Sequence, residues 1–212
     1  MTRTVRSLVA WAVWLFVGFL LVTMIVLAGW TEGFDQSINL LMVDWEIGWL
    51  VTASEVFHVV GSFPQGLIVA AVAAAVLYRR SGWVPAVTWL GLAGLANVLS
   101  TVTKELVGRE RPVNGLVAET SMAYPSGHAM TSGAAMAPGF FLVAGLLWPD
   151  RRRPLLVGAS FYALAMGLSR VYLRAHWMTD VIGGWLFGTA VACAVVAIAS
   201  WAGLERSTDT EV

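Results

Sequence analysis

The 212 residues fit one domain, and a content of 58% hydrophobic and 12% charged residues, with a mean hydropathy of +0.74, excludes an ordinary soluble protein. Thirteen basic and thirteen acidic side chains cancel, which argues against nucleic acid as a partner. The single cysteine, Cys193, excludes an internal disulfide and, within Val-Ala-Cys-Ala-Val-Val, reads as a small apolar packing residue.

The chain therefore reads as one all-α, membrane-embedded domain over residues 1–212. Leu8 to Gly29 is an almost unbroken apolar run behind Arg3 and Arg6. A bilayer crossing takes about 20 residues, and this run exceeds the apolar core of a signal peptide. It predicts an uncleaved first span with a cytoplasmic amino end. Thr31 to Gly61 carries Asp35, Asp44, Glu46 and Glu55 but no lysine or arginine. Within it Phe34, Ile38, Leu41, Trp45 and Trp49 recur at helical spacing opposite Asp35, Gln36 and Asn39, which predicts a short amphipathic helix on the outer membrane surface. His58, near its end, reads as a packing or interface histidine.

Further apolar runs follow at Ser62–Tyr78, Trp83–Leu106, His128–Trp148, Leu155–Leu173 and Met178–Trp201, making six spans with the first. If six spans alternate, Arg79-Arg80 and the basic link from Pro149 to Pro154 fall on the side of the amino terminus, which is the cytoplasmic side. The carboxyl terminus falls there too. Pro64 and Pro154 sit near helix starts, and Pro138 predicts a kink in the fourth span. Tryptophans near the span ends, such as Trp30, Trp83, Trp148 and Trp201, have the placement of interfacial anchors. Residues 205–212 read as a disordered tail, and nothing in the chain speaks to oligomeric state.

This topology puts Lys104, Arg109, Arg111, Arg170 and Arg174 at the outer face, against the usual bias of basic residues, and an anion pocket there supplies a reason. Lys104 ends a span, and Arg111 follows with Pro112 behind it. Pro125-Ser126-Gly127-His128 then enters the fourth span, where the Ser126 hydroxyl and the free backbone N–H groups around Gly127 can point at an anion. If the chain is helical from about His176, Asp180 lies one turn away on the same face. Its carboxylate can take one imidazole N–H and leave the other nitrogen as a general base or nucleophile. Taken singly, each fragment has a plainer reading: a helix cap, a snorkelling anchor, a surface ion pair. In this order, on one side of the bilayer, they point to phosphate chemistry.

Three stretches together resemble the signature of the type 2 phosphatidic acid phosphatase superfamily. They are Lys104 to Pro112 (lysine, six residues, Arg-Pro), Pro125 to His128 (Pro-Ser-Gly-His) and Ser169 to Asp180 (Ser-Arg, five residues, His, three residues, Asp). The superfamily includes bacterial membrane lipid phosphatases and, more distantly, vanadium haloperoxidases. The resemblance implies that His176 attacks phosphorus to form a phosphohistidine, that Asp180 orients it, and that His128 protonates the leaving oxygen. It implies that Lys104, Arg111 and Arg170, with Ser126 and the Gly127 N–H, hold the phosphoryl oxygens. Arg109, Arg174 and Glu119 lie outside the signature and stand as candidate headgroup contacts. With no carboxylate cluster or Cys/His ligand spacing in the chain, no metal cofactor is expected.

The expected activity is hydrolysis of a lipid phosphate monoester or diphosphate, of the phosphatidic acid, phosphatidylglycerophosphate or undecaprenyl diphosphate type, at the outer face of a bacterial-type inner membrane. Two alternatives stand beside it: a lipid phosphotransferase using the same histidine, and a non-catalytic lipid-phosphate binding or transport protein. Binding alone does not require an oriented nucleophile, and this argues against the second.

Overall fold

The structure is a computed structural model that describes residues 2–62, 65–131, 143 and 148–202. Its long elements, named in chain order, are α1 (Arg3–Leu27), α2 (Glu32–Asp44), α3 (Gly48–Gly61), α4 (Gln65–Ser81), α5 (Trp83–Val107), α6 (Arg152–Tyr172) and α7 (Met178–Trp201). A further helical turn begins at Gly127 and runs to Thr131. Among the described residues, α1, α5, α6 and α7 are each long and apolar enough to cross a membrane, and α3 with α4, bent by 65°, makes a fifth candidate. The chain is thus a multi-pass, all-helical membrane bundle. The predicted fourth span lies outside the described residues for most of its length, and so do Pro64, Pro138 and the 205–212 tail.

The bundle is organised around α7. Its sequence is apolar on every side, the pattern of a helix that packs all round, and it buries residues from Thr179 to Ser200. Helix α1 lies along it, with α5 and α6 against its other sides. The cores sit in layers along this axis. Val5, Leu8, Leu77, Trp89 and Val196 pack at the end where α1 starts, and Phe19, Leu92, Tyr124, Met130, Phe187 and Val191 pack in the middle. Trp11, Trp14, Leu21 and Met24 remain exposed on α1, as side chains facing acyl chains do.

The predicted outer helix is two helices. The chain breaks at Trp45–Ile47, where the Tyr172 hydroxyl of α6 accepts from the Ile47 N–H at 2.7 Å and donates to the Trp45 carbonyl at 2.7 Å. Both backbone groups released by the break are thereby satisfied from a distant element. Helix α2 is amphipathic as expected, with the opposite consequence for its acid. Phe34, Leu41 and Trp45 are exposed while Asp35 is buried, and Ile38 and Met42 pack beside it against Ala129, Val171 and Val181, so the face turned into the protein carries the acid together with apolar side chains.

Candidate active site

The site forms at the end of the bundle where α1 and α5 finish and α7 begins. Gly108, at a φ of +62°, closes α5 by donating its N–H to the Lys104 carbonyl at 2.9 Å, a left-handed cap that glycine adopts without strain. The chain then runs over the bundle end to Tyr124, whose hydroxyl meets Thr23 of α1 at 2.8 Å. Pro125 to Gly127 turn down against α7, and Ser126 donates its N–H to the Asp180 carbonyl at 3.0 Å. This approach needs bare backbone on α7: a Cβ on Gly184 would lie 2.9 Å from the Ser126 oxygen.

His176 is buried at 2% exposure. It precedes α7 and is not part of it, contrary to the helical reading, because Asp180 is committed as a cap. The Asp180 carboxylate accepts from the Trp177 N–H at 2.8 Å, which fixes the helix start. The same oxygen, Oδ2, stands 3.4 Å from His176 Nδ1. On the other side of the ring, Arg111 donates to His176 Nε2 at 3.0 Å. A guanidinium can only donate, so Nε2 is an acceptor and the ring proton belongs on Nδ1, toward Asp180. Burial first, then the charges of Arg111, Lys104 and Arg170, hold His176 well below its ordinary pKa, so the imidazole is neutral and its Nε2 lone pair is the one that accepts from Arg111.

Of the predicted phosphate ligands, Arg111 touches this nitrogen, and Lys104 and Arg170 are close enough for their charges to act on the ring. Arg111 is braced by the Ser121 carbonyl at 2.6 Å and the Ala175 carbonyl at 2.7 Å. The buried Lys104 amine donates to the Met122 carbonyl, and a Cβ added to Gly127 would lie 3.7 Å from Lys104 Cε. Arg170 is fully buried and donates from Nη2 to Glu119 at 3.1 Å, leaving its Nε and Nη1 without a hydrogen-bond partner among the described residues. Such donors are costly unless an acceptor meets them. The Ser126 hydroxyl accepts from the Ala129 N–H at 3.5 Å.

His128 donates from Nε2 to the His58 carbonyl at 3.1 Å, with the Ser62 hydroxyl at 3.2 Å. Its ring lies 5.3 Å from that of His58. His58 is therefore a neighbour of the site. Glu119 joins the same cluster, 3.7 Å from Arg111 and with His58 Nδ1 at 3.8 Å. No motif spacing marks these two residues. His58, Glu119 and His128 also bring ligand atoms within 4.8 Å of one another, a grouping invisible in the linear sequence. The two arginines beside Glu119 oppose a cation there.

The remaining two arginines, Arg109 and Arg174, are each paired with carboxylates of the fold. Arg174, at a φ of +53°, pairs with Glu46 at 2.8 Å and donates to the Asn114 carbonyl at 2.9 Å, fastening the loop to the end of α2. Arg109 bridges Asp35 at 2.7 Å and Asp180 at 2.6 Å. Burial opposes its charge, but the two carboxylates outweigh that and raise its pKa above the ordinary value.

Known proteins resemble this chain in sequence and fold. The family model described as the PAP2 superfamily matches residues 85–204. The chain is 33% identical over 185 residues to phosphatidylglycerophosphatase B of Bacillus subtilis, covering 82% of this chain and 87% of that protein. It is 30% identical over 119 residues to an undecaprenyl-diphosphatase of Sulfolobus acidocaldarius, covering 50% and 51% respectively. A crystal structure of a transmembrane PAP2-type phosphatidylglycerolphosphate phosphatase from Bacillus subtilis superimposes with a TM-score of 0.83 at 26% identity, over 90% of this chain and 96% of that one.

Proposed function

The chain belongs to the PAP2 superfamily, and from that membership we propose that it is a metal-independent lipid phosphatase working through a phosphohistidine at His176. The observation that carries the reading is the two-sided hold on one buried imidazole. Asp180 faces Nδ1 and the proposed phosphate-binding arginine donates to Nε2, so a phosphoryl group that takes over the Arg111 N–H frees the Nε2 lone pair beside its phosphorus. In the first step Nε2 attacks phosphorus and the bond to the lipid oxygen breaks. The leaving oxygen takes the Nε2 proton of a protonated His128, which replaces its His58 carbonyl or Ser62 hydroxyl partner and is left as the neutral imidazole. Asp180 stabilises the positive ring. Water then cleaves the P–N bond, with His128 as base, and free phosphate leaves.

Charge on the transferring group falls to Lys104, Arg111 and Arg170, with Ser126 and the Gly127 N–H. The open Nε and Nη1 of Arg170 support this assignment. Fixed cations of this kind can stabilise three equatorial oxygens without a metal. The substrate is a lipid phosphate or diphosphate. The active end lies at the outer face of a bacterial-type inner membrane, since Arg3, Arg6, Arg79, Arg80, Arg151 and Arg153 collect at the opposite end.

The test is turnover by purified protein of phosphatidic acid, phosphatidylglycerophosphate and undecaprenyl diphosphate, with phosphate release and lipid products measured together. Free phosphate in proportion to dephosphorylated lipid is expected. A second lipid that gains the phosphate would make the protein a transferase, and binding without turnover would leave only a lipid-phosphate carrier.

A further inference from the structure

Two buried carboxylates meet on one guanidinium beside the reactive histidine. Asp35 comes from α2, on which Phe34, Leu40, Leu41 and Val43 are exposed, and is itself 1% exposed. Its Oδ2 accepts from Arg109 Nη2 at 2.7 Å and from the Thr179 hydroxyl at 2.6 Å, and its Oδ1 accepts from the Thr179 N–H at 3.0 Å. The other arm of the fork, Arg109 Nη1, donates to Asp180 Oδ1 at 2.6 Å and to the Thr179 hydroxyl at 2.8 Å. Trp177 covers the guanidinium, with the ring centroid 5.7 Å from its central carbon. The second oxygen of Asp180 is the one that faces His176. A continuous line of contacts thus runs from α2 through Asp35, Arg109 and Asp180 to the ring.

We propose that Asp35 and Arg109 are positioning residues, Asp35 fixing Arg109 and Arg109 holding the Asp180 carboxylate against His176, so that the docked α2 is part of the catalytic geometry. A buried carboxylate persists as an anion only when it is paired. Asp180 needs its charge when the His176 ring becomes cationic on phosphorylation, and Arg109 is its direct ion-pair partner. A guanidinium fork left with one acceptor can rotate. Asp35, Thr179 and Thr31 take its other Nη donors and fix its plane. The inference rests on His176 being the nucleophile.

The experiment is steady-state kinetics of the full-length protein in detergent on a lipid monophosphate. The variants are Asp35→Asn, Arg109→Gln, Arg109→Lys, the Asp35→Asn/Arg109→Gln pair and His176→Ala, each checked for folding by its unfolding temperature. Arg109→Gln is expected to lower kcat by about 10²-fold, the scale of a misplaced reacting group. KM should change little, because the phosphate ligands are untouched. Arg109→Lys should recover part of the loss, keeping the charge without the fork. Asp35→Asn, nearly isosteric, should lower kcat by about 10-fold, as outer partners of reactive groups do. Because Asp35 acts through Arg109, adding Asp35→Asn to Arg109→Gln should cost nothing more.

Full kcat in folded Asp35→Asn and Arg109→Gln would overturn the proposal, as would losses that multiply in the pair or fall on KM. If Arg109→Gln does not fold, Asp35→Asn decides by the same split. Activity surviving in His176→Ala would instead sink the nucleophile reading on which the proposal stands.

Discussion

Gly61 ends α3 where the His128 ring crosses it, which allows the proton-donor role to be tested without removing the histidine. A Cβ at this position would lie 2.6 Å from His128 Cδ2 and 2.9 Å from Met166 Cε. Carbon atoms rest at about 3.5–4.0 Å, so Gly61→Ala demands roughly 1 Å of movement. Met166 presents the flexible end of its side chain and can swing away. The His128 ring is tied through Nε2 to the His58 carbonyl and Ser62, so relief for the ring comes at the expense of its orientation. Overpacking of this kind costs about 1–3 kcal/mol of stability. A misplacement near 1 Å costs about 10²-fold in rate for the step that uses the group. That step matters most when the leaving oxygen is a poor one. We expect kcat/KM to fall by about 10²-fold on a lipid monophosphate, whose alkoxide needs the proton. The loss should be far smaller on a lipid diphosphate or an aryl phosphate measured in the same detergent. Equal losses on all three, or full activity on the monophosphate in a folded variant, would refute the reasoning.

His176→Ala should abolish turnover of every substrate, because no covalent intermediate can form; residual diphosphatase activity in folded protein would count against it. Arg111→Gln removes one of the charges that keep His176 deprotonated. Protonated His176 cannot attack, so the acid limb of the kcat/KM profile should move to higher pH than in the wild type, and an unmoved or lowered limb would contradict the electrostatic account. Phosphate release should persist after exhaustive EDTA treatment, and loss restored by added divalent cation would turn attention to His58, Glu119 and His128. In intact cells an impermeant thiol reagent should label a cysteine placed at Asn114 and spare one at Asp150, and the reverse pattern would invert the topology.

The parts of this site that were legible in the sequence are those built from local chain spacing. Lys104 and Arg111 flank a helix end, Ser126 and Gly127 enter the next helix, and His176 and Asp180 straddle the start of α7. Each such piece constrains its own geometry, and the structure brings all three to one end of the bundle. His58 and Glu119 reach the cluster only through tertiary packing, and no spacing announces them. Helix α2 shows both kinds of information. Its periodicity predicts an amphipathic helix, but periodicity does not say which face meets the protein. In water the apolar face turns inward, whereas next to acyl chains it can turn outward, and then an acid such as Asp35 is buried and must find a cation. The break between α2 and α3 was hidden for a related reason, since the groups that satisfy it come from Tyr172, 125 positions away from Ile47.

The five basic residues predicted at the outer end divide by what they donate to. Arg109 and Arg174 end on carboxylates, Asp35 with Asp180 and Glu46, so their charge is neutralised within the fold. Lys104 and Arg111 end mainly on backbone carbonyls, and Arg170 keeps two donors open. Carbonyl oxygens orient a cation without cancelling its charge, whereas a carboxylate does both. Glu119, which Arg170 and Arg111 share, supplies one negative charge for two positive ones. Within this second group the local balance therefore stays positive at Lys104, Arg111 and Arg170, beside the neutral lone pair of His176. A buried surplus of positive charge is unfavourable in a low-dielectric setting unless an anion meets it. In the proposed reaction a phosphoryl group would carry that anion to the Nε2 side of the ring.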